Sequence, residues 1–199
     1  MEKPIPEQKT GSEMNAVARA SFDNIADSEA FYVIAKKRLL NINSWGELSQ
    51  LPSSTFILCD SSGNPANRSA LTGDLIKIDI PGPGTANGDG YDWVQIEYIQ
   101  EEQINNTEQI SLRARPCPNP KNPDTEPAHF FKSSATSTFQ IKRIGTEVFA
   151  EEHGRNEVPN TDTTHPIDNI RNNLVGFVAK IGLSYPQWKG LVEGLVSQK

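Results

Sequence analysis

Six stretches between Thr55 and Glu152 carry strand-like apolar or alternating patterns, and that pattern limits the fold more than any other feature of the chain. In Asp74–Ile80, the residues Ile76, Ile78 and Ile80 fall on one side, with Lys77 and Asp79 on the other. Trp93–Ile99 sets Val94, Ile96 and Tyr98 against Gln95 and Glu97. Ile110, Leu112 and Ala114 alternate with Ser111, Arg113 and Arg115. Thr136–Arg143 and Glu147–Glu152 meet at Ile144-Gly145, a tight hairpin site, which points Phe139, Ile141 and either Val148 or Phe149 inward. Thr55–Asp60 is apolar and ends in the turn-forming run Ser61-Ser-Gly-Asn-Pro65. A period of two with one apolar face predicts antiparallel strands wetted on one side. The apolar face must then be covered by another layer.

Helical patterns stand on both sides of this block. Met14–Phe22 reads as a first strand, with Ala16, Ala18, Ala20 and Phe22 on one face. After a cap at Asn24 or Asp27, the residues Phe31, Ile34, Ala35, Leu39 and Ile42 form a helical stripe. Lys36, Lys37 and Arg38 read as its solvated face, and Trp45 and Leu48 continue it after a break near Asn43–Ser44. The strongest amphipathic helix is Pro166–Ile181, with Ile167, Ile170, Leu174, Val178 and Ile181 at steps of three and four. Ser184 and Gln187 form a capping box for a second, short helix through Trp188, Leu191, Val192 and Leu195.

At 199 residues the chain suits one domain. The reading is a flexible polar tail over 1–13 and a single domain over 14–199, with long loops at 81–92, 116–130 and 154–165. A net charge of -6 argues against nucleic acid as a partner. No run approaches the roughly 18 apolar residues of a membrane-spanning helix, so stable membrane insertion is not expected. The first residues lack the apolar core of a secretory signal, and Cys59 and Cys117 read as free thiols. These features predict a cytoplasmic protein; they do not define an oligomeric state.

The order strand, broken helix, six strands, long helix resembles the helix-grip fold of the START-like superfamily. That superfamily includes birch-pollen-allergen-like proteins, lipid-transfer START domains and polyketide cyclases. The likeness rests on Met14–Phe22, Ile34–Trp45, the strands from Thr55 to Glu152, and Pro166–Ile181, and it covers residues 14 to 182. It is a likeness of element order, since the superfamily has no short signature. The proline loop and the extra C-terminal helix depart from it. The resemblance implies an α+β fold in which a curved antiparallel sheet of about seven strands wraps a long C-terminal helix. It also implies an apolar cavity for a small hydrophobic ligand, lipid-like or polyketide-like, with no cofactor. Ile78, Ile96, Tyr98, Leu112 and Phe139 would then face the ligand from the sheet, and Leu174, Phe177 and Val178 from the helix. Ile76, Val94 and Ile141 share that face. A closed core would use the same residues, so a filled-core interaction protein and an enzyme on the same fold (cyclase, dehydratase or hydrolase) remain alternatives.

Few residues suggest chemistry. Gly82–Gly90 lacks the Gly-Lys-Ser/Thr of a phosphate loop. Asn87-Gly-Asp89-Gly90 matches only the middle of a calcium loop, with Thr85 and Ile96 where carboxylates belong, and reads as a flexible hairpin loop. His129, His153 and His165 lack metal-ligand spacing; His153 with Glu151, and Tyr98, are the acid–base candidates. His129 reads as a packing or lid element beside Phe130 and Phe131. No nucleophile elbow is present, and of the two thiols Cys117, beside the prolines and Arg115, is the more reactive candidate. Arg113 and Arg115 alternate outward; a register shift of one residue would turn them into the cavity.

Overall fold

The structure, a computed structural model, describes residues 3–49, 54–80, 86–123, 125–160 and 185–198. Seven strands form one antiparallel sheet: β1 (Ser12–Ser21), β2 (Thr55–Cys59), β3 (Leu75–Asp79), β4 (Asp92–Ile104), β5 (Thr107–Pro116), β6 (Thr136–Ile144) and β7 (Glu147–Glu157). Their order is β1-β7-β6-β5-β4-β3-β2. Every neighbour except β1–β7 is also consecutive in sequence, so the sheet is a meander closed at one edge by the first strand. Between β1 and β2 run α1 (Ile25–Leu40), a 3-10 turn (Ile42–Ser44) and α2 (Trp45–Leu48). A C-terminal helix, α3, is seen over 185–195. This is the α+β helix-grip architecture. The amphipathic segment Pro166–Ile181, with Leu174, Phe177 and Val178, lies outside the described residues, as does the cap at Ser184.

The alternation maps directly onto the sheet. Phe56, Leu58, Ile76, Ile78, Val94, Ile96, Ile110, Leu112, Ala114, Phe139, Ile141, Val148 and Ala150 are buried in one core with Ala16 and Ala20. At the hairpin, Val148 is the inward residue, and Gly145 takes a positive φ of 60° that suits glycine. Across the inner face, α1 packs on β6 and β7. Asn24 caps it by accepting from the Asp27 N–H at 2.9 Å. The buried stripe of α1 is Ser28, Phe31, Tyr32, Ala35 and Leu39. Ile34, expected in that stripe, is 46% exposed, because Tyr32 takes the position facing the sheet.

Two helical contacts fix the C-terminal end. Leu191, Val192, Leu195 and Val196 are buried in the main core. Arg38, expected on a solvated face, reaches the C-terminus of α3, where its Nη1 donates to the carbonyls of Leu195 at 3.2 Å and Ser197 at 2.6 Å. A cation there complements the exposed carbonyls of the helix end. Gly190 and Gly194, one turn apart, lie against the end of α2. A Cβ on Gly194 would overlap the Leu48 carbonyl, and one on Gly190 the Ser49 carbonyl.

The outer face is polar in its centre and apolar at one side. Beside β2–β4, the residues Cys59, Leu75, Trp93 and Ala128 form a second buried cluster under the proline loop, with Cys117 packed against it. That loop is pinned to β4 by Cys117 N–H to Trp93 O at 3.0 Å and Trp93 N–H to Ala128 O at 2.8 Å. The Asn87–Asp89 loop is held by Asn119, whose Nδ2 donates to Asp89 Oδ2 at 3.1 Å, and by Asn122. The segment read as a flexible tail is tied down over residues 3–11. Asn156 Oδ1 accepts from Lys9 N–H at 2.7 Å and Thr10 N–H at 3.1 Å, and its Nδ2 donates to Glu7 O at 3.0 Å. Farther along, Arg113 Nη1 donates to Pro4 O at 3.3 Å.

Candidate ligand-binding site

Two contiguous cavities lie on the inner face, beneath the 128–131 loop and the first turns of α3. Their volumes are about 40 and 50 Å3, and they share Phe56, Ile78, His129, Phe131, Ser137, Glu157 and Trp188. The first reaches deeper, to Trp45, Ile76, Val94 and Phe139. The second continues to Ser54, Ile80, Phe130 and Gln187. Each volume admits a few waters or a small chemical group. Both are below the roughly 300 Å3 at which drug-sized ligands are usually held.

The walls come from distant parts of the chain. Trp45 on α2, Phe56 on β2, Phe139 on β6 and Trp188 on α3 pack as an aromatic group, with ring centroids 4.7 Å apart for Trp45–Phe139, 5.2 Å for Phe139–Trp188 and 5.9 Å for Phe56–Trp188. The Trp45 indole donates to Leu39 O at 3.1 Å, which fixes its ring. At the mouth, His129 stacks on Phe130 with centroids 4.3 Å apart, and its Nδ1 accepts from the Phe131 N–H at 2.9 Å. Phe131 is bridged to Pro159, and Asn160 Nδ2 donates to His129 O at 3.1 Å. The long loop is thus a built wall, with His129 as the expected packing element.

Among the described residues, the carboxyls of Glu152 and Glu157 stand on this face, and of the two Glu157 lines the cavities. β7 runs five residues past its expected end at Glu152, and its inward positions are Val148, Ala150, Glu152 and Gly154. Glu152 lies opposite Phe139 and beside Ala16, and is fully buried. Neither of its oxygens has a hydrogen-bond partner at good geometry, and the Ser137 hydroxyl acts on it. Burial, and then the charge of Glu157, push its carboxyl well above the ordinary range. Asn156 breaks the alternation with a φ of 56°, so Glu157 turns onto the same side as Gly154. A Cβ on Gly154 would sit 2.5 Å from Glu157 Oε1; the glycine leaves the room that this carboxyl occupies. Ser12 Oγ donates to Glu157 Oε2 at 3.1 Å. Burial raises the Glu157 carboxyl as well.

The sequence-derived site residues divide into four groups. Ile78 and Phe139 line the cavities. Ile96 and Leu112 face inward but are wholly enclosed in the core. Tyr98 is on the outer face, a correction to its expected inward position. A bulge between Ile96 and Tyr98 inserts one residue and reverses the parity of β4, so that Ile99 packs inward and Tyr98 pairs with Arg113. Its hydroxyl donates to Gln100 Oε1 at 2.6 Å. Leu174, Phe177 and Val178 lie outside the described residues.

The acid–base candidates also lie away from the cavity. His153 and Glu151 are on the outer face, where the His153 ring sits 2.7 Å from Asn15 Oδ1 and 2.8 Å from Glu151 Oε2. Lys142 pairs with the same Glu151 oxygen at 2.7 Å. Burial raises the Glu151 carboxyl, but His153 and Lys142 outweigh it and hold the group below the ordinary range. Arg113 and Arg115 point outward as expected, and both pair with Glu97, at 2.5 and 2.6 Å. Cys117 is not activated: burial pushes its thiol up to about 12.

Trp45, Phe56, Trp188, Ser137 and Glu157 were not singled out from sequence as cavity residues. Phe56 and Trp188 each sit in a segment whose apolar pattern is visible, and that was their signal. Glu157 had none, because its direction depends on the backbone at Asn156.

No protein-family model matches the sequence, and no curated protein matches it. Solved structures do match. A major latex-like protein from Panax ginseng is 10% identical, with 87% of this chain and 98% of that one covered and a TM-score of 0.36. A START superfamily protein from Mycobacterium smegmatis is 11% identical, over 93% of this chain and 99% of that one, with a TM-score of 0.35. A truncated norcoclaurine synthase from Thalictrum flavum is 9% identical, over 98% and 100% of the two chains, with a TM-score of 0.36. These are likenesses of chain path and carry nothing about activity. The helix-grip architecture itself rests on the sheet order and helix placement, and the structural neighbours of the chain include START superfamily proteins.

Proposed function

We propose that this chain binds a small, mainly apolar molecule on the inner face of its sheet, at the end walled by Phe131 and Trp188. The observation that carries the reading is the cavity lining: aliphatic and aromatic side chains from β2, β3, β4, β6, α2 and α3 converge there, with Ser54, His129, Thr136, Ser137, Glu157 and Gln187 as the polar groups among them. The present volumes accommodate only part of such a molecule. Binding therefore requires Trp188 and the 128–131 loop to move apart. That motion would break the ring contacts of Trp188 with Phe56 and Phe139 and the bonds of the 128–131 loop to residues 159–160. The free thiols Cys59 and Cys117 accord with a reducing, cytoplasmic setting. No described helix is long and apolar enough to cross a membrane.

Native mass spectrometry of protein purified from its host without denaturation tests this reading. A co-purifying molecule, released on unfolding, is the expected result. Protein that carries none, and whose Trp188 environment is unmoved by a panel of alcohols, fatty acids and aromatic hydrocarbons, would overturn it.

A further inference from the structure

We infer that the Glu157 end of the cavity takes an organic ammonium group, the polar head of an otherwise apolar amine. The inference rests on the ligand-binding reading above and specifies its ligand class. Glu157 lines both cavities, and the gap left by Gly154 directs its carboxyl inward. Ser12 occupies one oxygen, and Oε1 is the one lying over the glycine. Glu152 stands on the same face two residues before Gly154, buried behind the cavity lining. Among the described residues, no lysine or arginine lines either cavity. Arg155, the nearest cation on β7, is turned to the other face, where it donates to Asn15 Oδ1 at 2.8 Å and to Met14 O at 3.0 Å.

A cavity lined by the Glu157 carboxyl and, among the described residues, by no lysine or arginine favours a positively charged guest over an anionic one. The remaining walls act in the same direction. Phe56, Phe131 and Trp188 present ring faces or edges to the space, and an ammonium is attracted to such faces. An anionic guest would meet the Glu157 carboxyl. A neutral alcohol would fill the space but give the Glu157 carboxyl no counter-charge. The groups facing Glu152 from the neighbouring strands are Ser137 and Phe139 on β6 and Ala16 and Met14 on β1, none of them titratable. The ionisable groups acting on Glu152 are Glu157 and Arg155, and His129 lines the same cavities. A bound ammonium would favour the ionised form of Glu157, whose carboxyl burial raises, so binding should release protons.

The test is a calorimetric and tryptophan-fluorescence titration of the full chain with three matched probes: n-hexylamine, 1-hexanol and hexanoate. The amine should bind about tenfold or more tightly than the alcohol, as a charge-assisted contact implies, with hexanoate weakest. Its heat should vary with the ionisation enthalpy of the buffer, which reports proton release; the alcohol's should not. Glu157→Gln should bring amine and alcohol to similar affinity while retaining alcohol binding. Glu157→Gln should also remove the proton release, whereas Glu152→Gln, outside the cavity lining, should leave the amine preference in place. Equal affinity of amine and alcohol in the unmodified protein, or an amine preference that survives Glu157→Gln, would overturn the inference and leave ligand binding standing. If none of the three probes binds, the ligand-binding reading fails and the inference fails with it.

Discussion

Replacing Gly194 by alanine separates two opposite expectations. In an open helix, glycine to alanine stabilises by about 1 kcal/mol, because alanine loses less backbone freedom. Here the added Cβ would overlap the Leu48 carbonyl oxygen and lie 2.6 Å from its carbon and 3.1 Å from the Leu48 Cα. These are backbone atoms of α2, which cannot rotate away as a side-chain tip could. Relief requires α3 to move outward, and that movement loosens Leu191, Val192 and Leu195, all fully buried. Overpacking of this kind costs about 1–3 kcal/mol. The clash involves main chain, so the upper part of that range is expected, and it should exceed the propensity gain. Gly194→Ala should therefore lower stability by about 1–2 kcal/mol net. Urea unfolding followed by circular dichroism reads this as a lower midpoint with an unchanged slope. Gly190→Ala, whose Cβ would meet the Ser49 carbonyl, should act in the same direction. A midpoint at or above that of the unmodified protein would refute the close approach of α2 and α3, and with it the position of Trp188 in the cavity wall.

Three further outcomes follow from the same contacts. Asn156→Ala removes the side-chain bonds that hold Glu7, Lys9 and Thr10; hydrogen exchange should speed up at the amides of Lys9 and Thr10, with a stability loss of about 1–3 kcal/mol. The Glu152 carboxyl is raised in the folded state by burial and then by Glu157. Its contribution to stability is full below the unfolded value and falls as pH rises from that value through the folded one, by at most ~1.4 kcal/mol per pH unit. Glu152→Gln should abolish that decline, which urea titrations from acidic to neutral pH will show. Cys117, its thiol pushed up to about 12, should react with iodoacetamide in the folded protein far more slowly than a free cysteine, a difference that mass spectrometry of the labelled chain measures and denaturation should erase.

The sheet was legible in the sequence because burial of one face imposes a period of two. Ile76 and Ile78, Leu112 and Ala114, and Phe139 and Ile141 fall inward as their alternation predicts. The outward direction of Arg113 and Arg115 followed for the same reason. Reading failed where the backbone departs from that period. The bulge before Tyr98 sends its ring to the outer face, and the left-handed turn at Asn156 sends Glu157 to the inner one. The bulge has no residue-type signal, and although asparagine is prone to the left-handed conformation, its presence alone does not place one at Asn156. Ile34 and Tyr32 exchanged roles because both satisfy the helical spacing and only the position of β6 decides between them. The cavity could not be read at all from local pattern. It is defined by the distances among Trp45, Phe56, Phe139 and Trp188, which lie on four separate elements. The ordering of residues 3–11 was hidden likewise, because a polar segment low in apolar content is held here by hydrogen bonds to Asn156 and Arg113 and not by burial.

The claim that the inner face accepts an apolar molecule is tested most directly by amide and indole NMR during titration with 1-hexanol. Saturable shifts should concentrate at the Trp188 indole, Ile78, Phe131, Ser137 and Phe139, while Tyr98, Arg113 and His153 on the outer face stay in place. Shifts that are absent, or that cluster on the outer face or around Trp93 and Cys117, would contradict it.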